Sequence, residues 1–217
     1  MARIAKPVKS RSYDTTRRHA ASKETRQRIV DAARGLMLER GYRRTSVGDI
    51  AAAAGVHVDT VYQLVGRKPL LLREILEQAI SGETRAVPAE ERDFVAAIRA
   101  EPDAAAKLRL YAGAVRHTQE RLAPIVRVVN EAAPSEPDVA ALWNEITERR
   151  AANMRTFVRD VKDAAPLRDD LSVDRAADIV WVLNSTDVFL LLTDGRRWTA
   201  DEYERWLGDS WIRLLLE

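Results

Sequence analysis

The chain has 217 residues, of which 46% are hydrophobic and 31% are charged, and its formal net charge is +2. This length fits one large domain or two small ones, and the apolar fraction excludes a chain that is disordered throughout. The chain contains no cysteine, which excludes disulfide frameworks, thiol nucleophiles and zinc–cysteine sites.

The small net charge conceals an uneven distribution of charge along the chain. Residues 1–72 contain 15 Lys and Arg against 6 Asp and Glu, whereas residues 73–217 contain 20 against 27. A basic segment attached to an acidic remainder favours contact with a polyanion such as nucleic acid. A solvated basic tail that binds nothing specific would have the same composition.

Residues 1–22 carry many basic side chains and show no apolar periodicity, which predicts a flexible basic arm. A helical pattern begins near Lys23, with apolar residues spaced as on one face of a helix. These residues are Ile29, Ala32, Ala33, Leu36 and Met37. Gly41 predicts the end of this helix, because glycine adopts the left-handed conformation at low cost.

Two short helices follow in the sequence. The first begins after Ser46, whose spacing to Asp49 is similar to a capping box, and it ends at Gly55. The second covers about Val58–Val65, and Pro69 marks the start of a fourth helix. Two short helices joined by a glycine-containing turn are typical of a helix-turn-helix unit, whose second helix enters the major groove of DNA. The alternative is an ordinary helical hairpin.

The remainder of the chain also shows helical periodicity, interrupted by proline and glycine. The predicted helices cover residues 89–100, 103–132, 138–165, 173–193 and 199–216. We expect Pro124 to kink the second of these, and Ser172 and Thr199 to cap the last two. No stretch alternates with period two, so the predicted fold class is all-α, without a sheet.

The residues around the two short helices also carry a family resemblance. They include Gly41-Tyr42, Thr45-Ser46-Val47, Ile50-Ala51, Ala54-Gly55-Val56, Thr60-Val61-Tyr62 and Lys68. With this spacing, residues 28–72 resemble the tetracycline-repressor (TetR) family of bacterial transcriptional regulators. The resemblance implies an all-helical homodimer with a three-helix DNA-binding domain at 23–68. It also implies a C-terminal domain at 69–217 that binds a small molecule and dimerises.

Two segments depart from the family pattern. His57 stands where the family usually has a small hydroxyl residue or alanine. The segment Gln63-Leu64-Val65 replaces one that is usually aromatic and ends in phenylalanine, and Arg67 is a candidate to supply the phosphate contact that Leu64 removes. The operator sequence therefore cannot be transferred from relatives.

The resemblance places Tyr62 and Lys68 at positions that hold the phosphate backbone. A phenol and an ammonium suit that task, because phosphate contacts position a protein without distinguishing bases. Gln can pair with adenine, Asp can accept from cytosine N4 and the Thr methyl can meet thymine. The candidates for base contacts are accordingly His57, Asp59, Thr60 and Gln63. The other candidates at this surface are Arg43, Arg44, Thr45, Ser46, Val58 and Arg67.

Several of these candidates have a second interpretation that the sequence leaves open. Tyr62 could be a core aromatic residue, and Asp59 could only compensate the helix dipole. Arg43 and Arg44 could be solvated loop charges. The arm offers three candidates for either a minor-groove contact or a plain electrostatic tether, namely Arg11, Arg17 and Arg18.

The last two predicted helices are the most apolar of the C-terminal segment. Paired helices with excess apolar surface can bury it against a symmetry mate, as the last two helices do in the resembled family. The alternative is that all this surface is internal core. The predicted dimer residues are Ile179, Leu183, Leu190, Tyr203, Trp206, Leu207, Trp211 and Leu214.

A ligand pocket needs apolar walls with a few polar groups among them. The candidate walls are Tyr111, Trp143, Met154 and Phe157. The polar exceptions on the same stripes are Arg150, Asn153, Asn184 and Asp187. Each exception could instead be a paired core or interface residue, and the pattern predicts an amphipathic or aromatic effector.

The N-terminal residues lack the apolar core of a signal peptide. The longest apolar stretch, near Ala176–Leu192, is interrupted by Asp178, Asn184 and Asp187, which makes it too polar to span a bilayer. We therefore expect a cytoplasmic protein without a membrane partner.

No arrangement of residues in the sequence predicts catalysis, a metal site or a cofactor. The three histidines, His19, His57 and His117, are far apart in the chain, and none lies in a cluster with ligand spacing. The sequence predicts a regulator, a repressor in our interpretation, that binds operator DNA as a homodimer and is released by a small molecule. Two alternatives remain, a nucleoid-type protein without sequence preference and a regulator without an effector.

Overall fold

The computed structural model describes residues 12–216, with side chains from residue 18 onwards. This part of the chain forms ten α-helices and no strand, which confirms the all-α prediction. The helices are α1 Ser12–Arg40, α2 Val47–Ala54, α3 Val58–Leu64, α4 Lys68–Ser81, α5 Asp93–Ala100, α6 Ala104–Ala132, α7 Pro137–Ala164, α8 Val173–Leu183, α9 Thr186–Leu190 and α10 Ala200–Leu215. A 3₁₀ turn at Ala89–Glu91 precedes α5, and a π-helical turn at Leu191–Gly195 follows α9.

Helix α1 begins earlier than the sequence pattern predicts. It starts at Ser12, not near Lys23, so residues 12–22, which we assigned to a flexible arm, are helical. The apolar pattern does not reveal this segment because its described side chains are exposed from Arg18 to Glu24. Such a segment extends a helix that already exists, which avoids the cost of nucleation. The arm prediction for residues 1–11 and the side chain of Arg17 lie outside the described residues.

The predicted helix at 173–193 is also different in the structure. It breaks after Leu183, and Asn184 ends α8. Ser185 then caps α9, and its hydroxyl accepts a hydrogen bond from the Val188 amide at 3.3 Å. Short polar side chains compete with helix continuation in this way, and the apolar stripe on both sides of the break hides it from a periodicity argument.

The N-terminal helices and α4 share one apolar core with parts of α6 and α7. Ile29 of α1, Val61 of α3 and Leu72 of α4 are completely buried in it, together with Val129 of α6 and Val139 of α7. A second core lies among α6, α7, α8 and α10. Helix α4 therefore contributes to the core of the N-terminal unit and packs on the C-terminal helices as well.

No single helix within residues 12–216 is both long and apolar enough to cross a membrane. One bent pair, Val173–Leu183 with Thr186–Gly195, meets the criteria of length and composition when its two parts are taken together. In the fold, α8 packs on α7 and α9 packs on α6.

Candidate nucleic-acid interface and internal cavity

Helices α2 and α3 form the predicted helix-turn-helix unit. The Ser46 hydroxyl accepts a hydrogen bond from the Asp49 amide at 3.1 Å, and Asp49 accepts one from the Ser46 amide at 3.0 Å, which completes the capping box. The Ser46 hydroxyl, which donates to the Asp49 carboxylate, and then the Ser46 amide lower the pKa of Asp49. Gly55 ends α2 with φ 66°, a left-handed conformation that glycine adopts without strain. The caps fix both ends of α2 and the direction in which α3 leaves it.

Helix α3 has one buried face and one exposed face. Val61 is completely buried in the core, whereas Val58 is 40% exposed and Tyr62 is 50% exposed. The exposure of Tyr62 excludes its interpretation as a core aromatic residue. The side chains of His57, Asp59 and Gln63 are exposed as well, and Thr60 is half-buried.

The C-terminal end of α3 is fixed by Arg26, a residue that the sequence analysis did not select. Its Nη1 donates to the Leu64 carbonyl at 2.6 Å, and its Nε donates to Glu74 at 3.1 Å. The bonds to Glu74 raise the pKa of Arg26. Arg26 thus connects α1, α3 and α4. Its position three residues before the buried Ile29 is the pattern that could have revealed it.

Lys68 lies at the start of α4 and contacts the loop before α2. Its ammonium donates to the Tyr42 carbonyl at 3.1 Å and lies 4.1 Å from the centre of the Tyr42 ring. Partial burial lowers the pKa of Lys68. This contact holds α4 against the loop and places a cation beside the exposed Arg67.

Two of the predicted DNA contacts have other roles in the structure. Thr45 is only 1% exposed, and its hydroxyl donates to the Gly41 carbonyl at 2.9 Å, so its prediction as a phosphate contact is wrong. The Ser46 hydroxyl donates to Asp49 at 2.6 Å within the capping box. Arg43 and Arg44 are exposed, and Arg43 lies 4.0 Å from Glu136.

We expect Thr45→Val to lower the free energy of unfolding by about 1–2 kcal/mol, because the buried Gly41 carbonyl loses its partner. The salt dependence of DNA binding should stay unchanged. Arg44→Ala is the matched control, since an exposed cation lost from this surface should leave stability unchanged and reduce the salt dependence. Urea unfolding and DNA titrations at several salt concentrations measure both effects. A reduced salt slope for Thr45→Val would restore its role as a phosphate contact.

The C-terminal helices enclose a cavity of about 610 Å³. All eight residues that the sequence predicts for a pocket line it, namely Tyr111, Trp143, Arg150, Asn153, Met154, Phe157, Asn184 and Asp187. Further lining residues that the sequence pattern did not predict come from α4, from the segment that leads into α5 and from α5 itself, among them Ile80, Arg92 and Phe94. Their place in the lining depends on how α4 and α5 pack on α6, which the local pattern does not reveal.

A polar network crosses the cavity wall at the break between α8 and α9. The buried Asn184 donates to the Tyr111 hydroxyl at 3.3 Å, and its side-chain oxygen accepts from Arg150 at 2.7 Å. Gln119 donates to the Asn184 carbonyl at 2.7 Å and accepts from Thr186 at 2.8 Å. Burial raises the pKa of Tyr111 to about 12, so its hydroxyl stays neutral at physiological pH. The network satisfies the Asn184 carbonyl at the helix break, which accepts from Gln119 and from Arg150.

The comparisons with known proteins agree with this geometry. Residues 29–75 match the family model described as bacterial regulatory proteins, tetR family. The matched segment runs from α1 into α4 and contains the helix-turn-helix unit. A search of curated proteins found no match to the chain.

Solved structures of regulators have the same fold along most of their length. A transcriptional regulator from Saccharomonospora viridis in complex with choline is 22% identical, with 89% of this chain and 98% of that chain covered and a TM-score of 0.65. NalD from Pseudomonas aeruginosa, the secondary repressor of the MexAB-OprM multidrug efflux pump, is 23% identical, with 90% and 98% covered and a TM-score of 0.69. FadR from Bacillus subtilis in complex with stearoyl-CoA is 19% identical, with 85% and 96% covered and a TM-score of 0.65. At these identities the similarity shows the fold.

The predicted dimer residues of this chain divide into two groups. Tyr203, Leu207 and Trp211 are completely buried within the protomer, so their prediction as dimer contacts is wrong. Helix α10 packs along α6, and its most regular apolar stripe is used in that contact. Leu214 is 39% exposed, whereas the side chains of Ile179, Leu183, Leu190 and Trp206 are half-buried. Two further apolar residues of the same region are exposed but are not among the predicted dimer residues, Val182 at 49% and Leu191 at 66%.

Proposed function

We propose that the protein is a transcriptional repressor that binds operator DNA as a homodimer and releases it when a small molecule enters the cavity. The two faces of α3 carry this proposal. Val61 fixes the helix in the core, while Val58, Tyr62 and Gln63 face outward on a basic N-terminal domain. A short helix held in this way can enter the major groove of DNA.

The side chains on α3 suit direct contact with base edges. Gln63 can pair with adenine, Asp59 can accept from the cytosine amino group and the Thr60 methyl can meet thymine. His57 stands at the N-cap of α3, the end that approaches the bases. Tyr62 and the cations around α3 would hold the phosphates, namely Arg43, Arg44, Arg67 and Lys68.

We expect Lys68→Ala and Gln63→Ala to affect DNA binding in different ways. Loss of the ammonium should weaken binding to all sequences similarly and reduce the slope of log K against log salt by about one. Loss of the Gln63 amide should weaken the binding free energy for the preferred sequence by about 1–3 kcal/mol and for other sequences by less. The protein should then distinguish DNA sequences less strongly. Titrations of specific and random DNA at several salt concentrations measure both effects. An unchanged slope for Lys68→Ala would contradict its phosphate contact.

Two copies of α3 are needed to hold an operator, because one half-site provides few contacts. The exposed apolar residues Val182, Leu191 and Leu214 lie on or beside the last helices of the fold, α8 to α10. Burying them against a symmetry mate would join two protomers through a four-helix contact. A nucleoid-type protein could form the same dimer, and its lack of sequence preference is what separates the two functions.

The cavity supports regulation by a small molecule. Its volume of about 610 Å³ lies within the usual range of ligand sites. Ile80 of α4 lines it, and Leu72 and Ile75 of the same helix are buried in the core of the DNA-binding unit. Arg121 of α6 donates to the Ala79 carbonyl of α4 at 3.0 Å. A molecule in the cavity would therefore touch a helix that shares its apolar core with α2 and α3.

Such a molecule would change DNA affinity only through a difference in its own affinity for the two states of the dimer. Couplings of this kind are typically about 1–3 kcal/mol. Two structural neighbours were solved with choline and with stearoyl-CoA, which supports the use of this fold for small molecules. A screen that follows release of labelled operator DNA tests the proposal, and a regulator without an effector would give no release with any molecule that binds the protein.

A further inference from the structure

Two guanidinium groups line the cavity without a carboxylate to pair with. Within the described chain, no carboxylate oxygen lies within 4.0 Å of a nitrogen of Arg92 or Arg150. The neighbouring Arg149 differs, because it bonds to Glu77 at 2.6 Å. The buried Lys107 also has its own partner, Asp160, at 2.9 Å. The cavity thus contains two cations that have no salt-bridge partner among the described residues. Glu77, the acidic residue that acts most strongly on Arg92, already pairs with Arg149.

Both guanidinium groups keep hydrogen-bond donors that no described residue uses. Arg150 donates through Nη1 to the side chain and the carbonyl of Asn184, which leaves Nε and Nη2 without a protein acceptor. Arg92 donates through Nε and Nη2 to the Val87 carbonyl, which leaves Nη1. A guanidinium presents five N–H donors in a planar fork that matches a carboxylate.

The surroundings of these two residues make their charge costly. Burial lowers the pKa of Arg92 and of Arg150, yet arginine stays protonated in proteins. Both residues line the same cavity as Tyr111, and their positive charges oppose the rise in its pKa that burial causes. A buried charge without a partner is unfavourable, and such groups in cavities are candidates for ligand recognition.

We infer that the cavity takes an amphipathic anion of the carboxylic acid class, whose carboxylate lies at Arg150 and Arg92 and whose apolar part lies against Trp143 and Phe157. This inference rests on the proposed function, because it names the chemical class of the effector. The Arg150 guanidinium already covers the Trp181 ring of the lining, since it lies 4.7 Å from the centre of that ring. A cationic ligand would meet repulsion here.

The acidic residues of the lining do not favour a cation in the same place. Asp160 is paired with Lys107, and Glu90 and Asp187 are exposed to solvent, which screens their charge. Asp187 is the carboxylate whose charge acts on Arg150, although it lies beyond salt-bridge distance. The half-buried charges of the lining that have no salt-bridge partner are therefore both cationic, whereas its exposed charges are of both signs.

The experiment uses N-phenyl-1-naphthylamine, an uncharged dye whose fluorescence rises in apolar sites. The dye is first titrated into the full-length protein and then displaced by three ligands that share a ten-carbon chain: decanoate, decanamide and decyltrimethylammonium. We expect decanoate to displace the dye at a concentration at least about tenfold lower than decanamide or decyltrimethylammonium. A tenfold gain in affinity is about the size expected from one hydrogen bond between charged groups. Equal or better displacement by decanamide or by the cation would overturn the inference.

Arg150→Gln tests the assigned residue. We expect it to bind the dye like the wild type, which shows that the cavity is intact, and to lose at least about tenfold in affinity for decanoate while its affinity for decanamide stays the same. Arg155→Gln is the matched control, because this residue lies on the same helix, outside the cavity lining, and pairs with Asp174 at the surface. If Arg150→Gln does not fold, the order of the three ligands on the wild-type protein still decides the inference.

The dye experiment distinguishes an absent effector cavity from a cavity that does not prefer anions. A wild-type protein that does not bind the dye would contradict the proposed effector cavity and the inference together. Dye binding followed by equal displacement would contradict only the anionic class and leave the cavity as a site for an uncharged amphipathic molecule. Unchanged decanoate affinity in Arg150→Gln would overturn the assignment of the carboxylate to this residue.

Discussion

Leu214→Glu is expected to separate the homodimer into monomers and to weaken operator binding by about a hundredfold or more, because the two half-sites are then bound independently. Leu214 is 39% exposed on α10, so the substitution should leave the protomer folded. In a symmetric dimer the change occurs twice at one contact, where it would bury two unpaired charges. Light scattering measures the oligomeric state, and a DNA titration measures the affinity.

The control for this prediction is Leu38→Glu. Leu38 is 44% exposed on α1, outside the proposed contact, so its substitution should leave the dimer intact. Circular dichroism verifies that both variants keep their helices. A Leu214→Glu protein that remains dimeric would show that the exposed part of α10 does not form the contact.

Val61→Ala and Val58→Ala are expected to separate the two faces of α3 by the same chemical change. Val61 is completely buried, and the loss of its methyl groups should lower the free energy of unfolding by about 2 kcal/mol through lost burial and the cavity left behind. Val58 is 40% exposed, and its substitution should change stability by less than about 0.5 kcal/mol.

The two substitutions should affect DNA binding in the opposite order to their effects on stability. Val58→Ala should alter operator affinity at full stability, because the side chain lies on the proposed DNA face. Val61→Ala should bind nearly as the wild type under conditions in which it is fully folded. Urea unfolding and DNA titration of the two variants test this prediction. Equal loss of stability in both variants would contradict the assignment of one buried and one exposed face to α3.

The N-terminal domain could be predicted well from the sequence because local rules determine it. Helix α2 has the predicted bounds, Val47–Ala54, since Ser46 and Gly55 fix its ends through the capping box and the left-handed turn. Thr199 caps α10 with a second capping box by the same rule. The lining of the cavity could be selected because polar residues on an apolar stripe are unusual.

The remaining features depend on packing between distant residues. Thr45 is polar and lies in the loop before α2, so only the fold shows that it is buried against Gly41. Apolar periodicity alone cannot distinguish a stripe that packs within the protomer from one that packs on a partner, which is why Tyr203 and Trp211 were assigned to the dimer. The unpaired charge of Arg92 is likewise visible only once the turn before α5 lies beside the cavity.

The proposed function requires that two copies of α3 distinguish one DNA sequence from others. The most direct measurement selects bound DNA from a random pool and compares, at physiological salt, the affinity for the selected site with that for random DNA of equal length. We expect a preference of at least about 10³ for the selected site, with two related half-sites whose centres are about one helical turn or a multiple of it apart. Equal affinity for the two DNAs, or a selected pool without a shared sequence, would contradict the account.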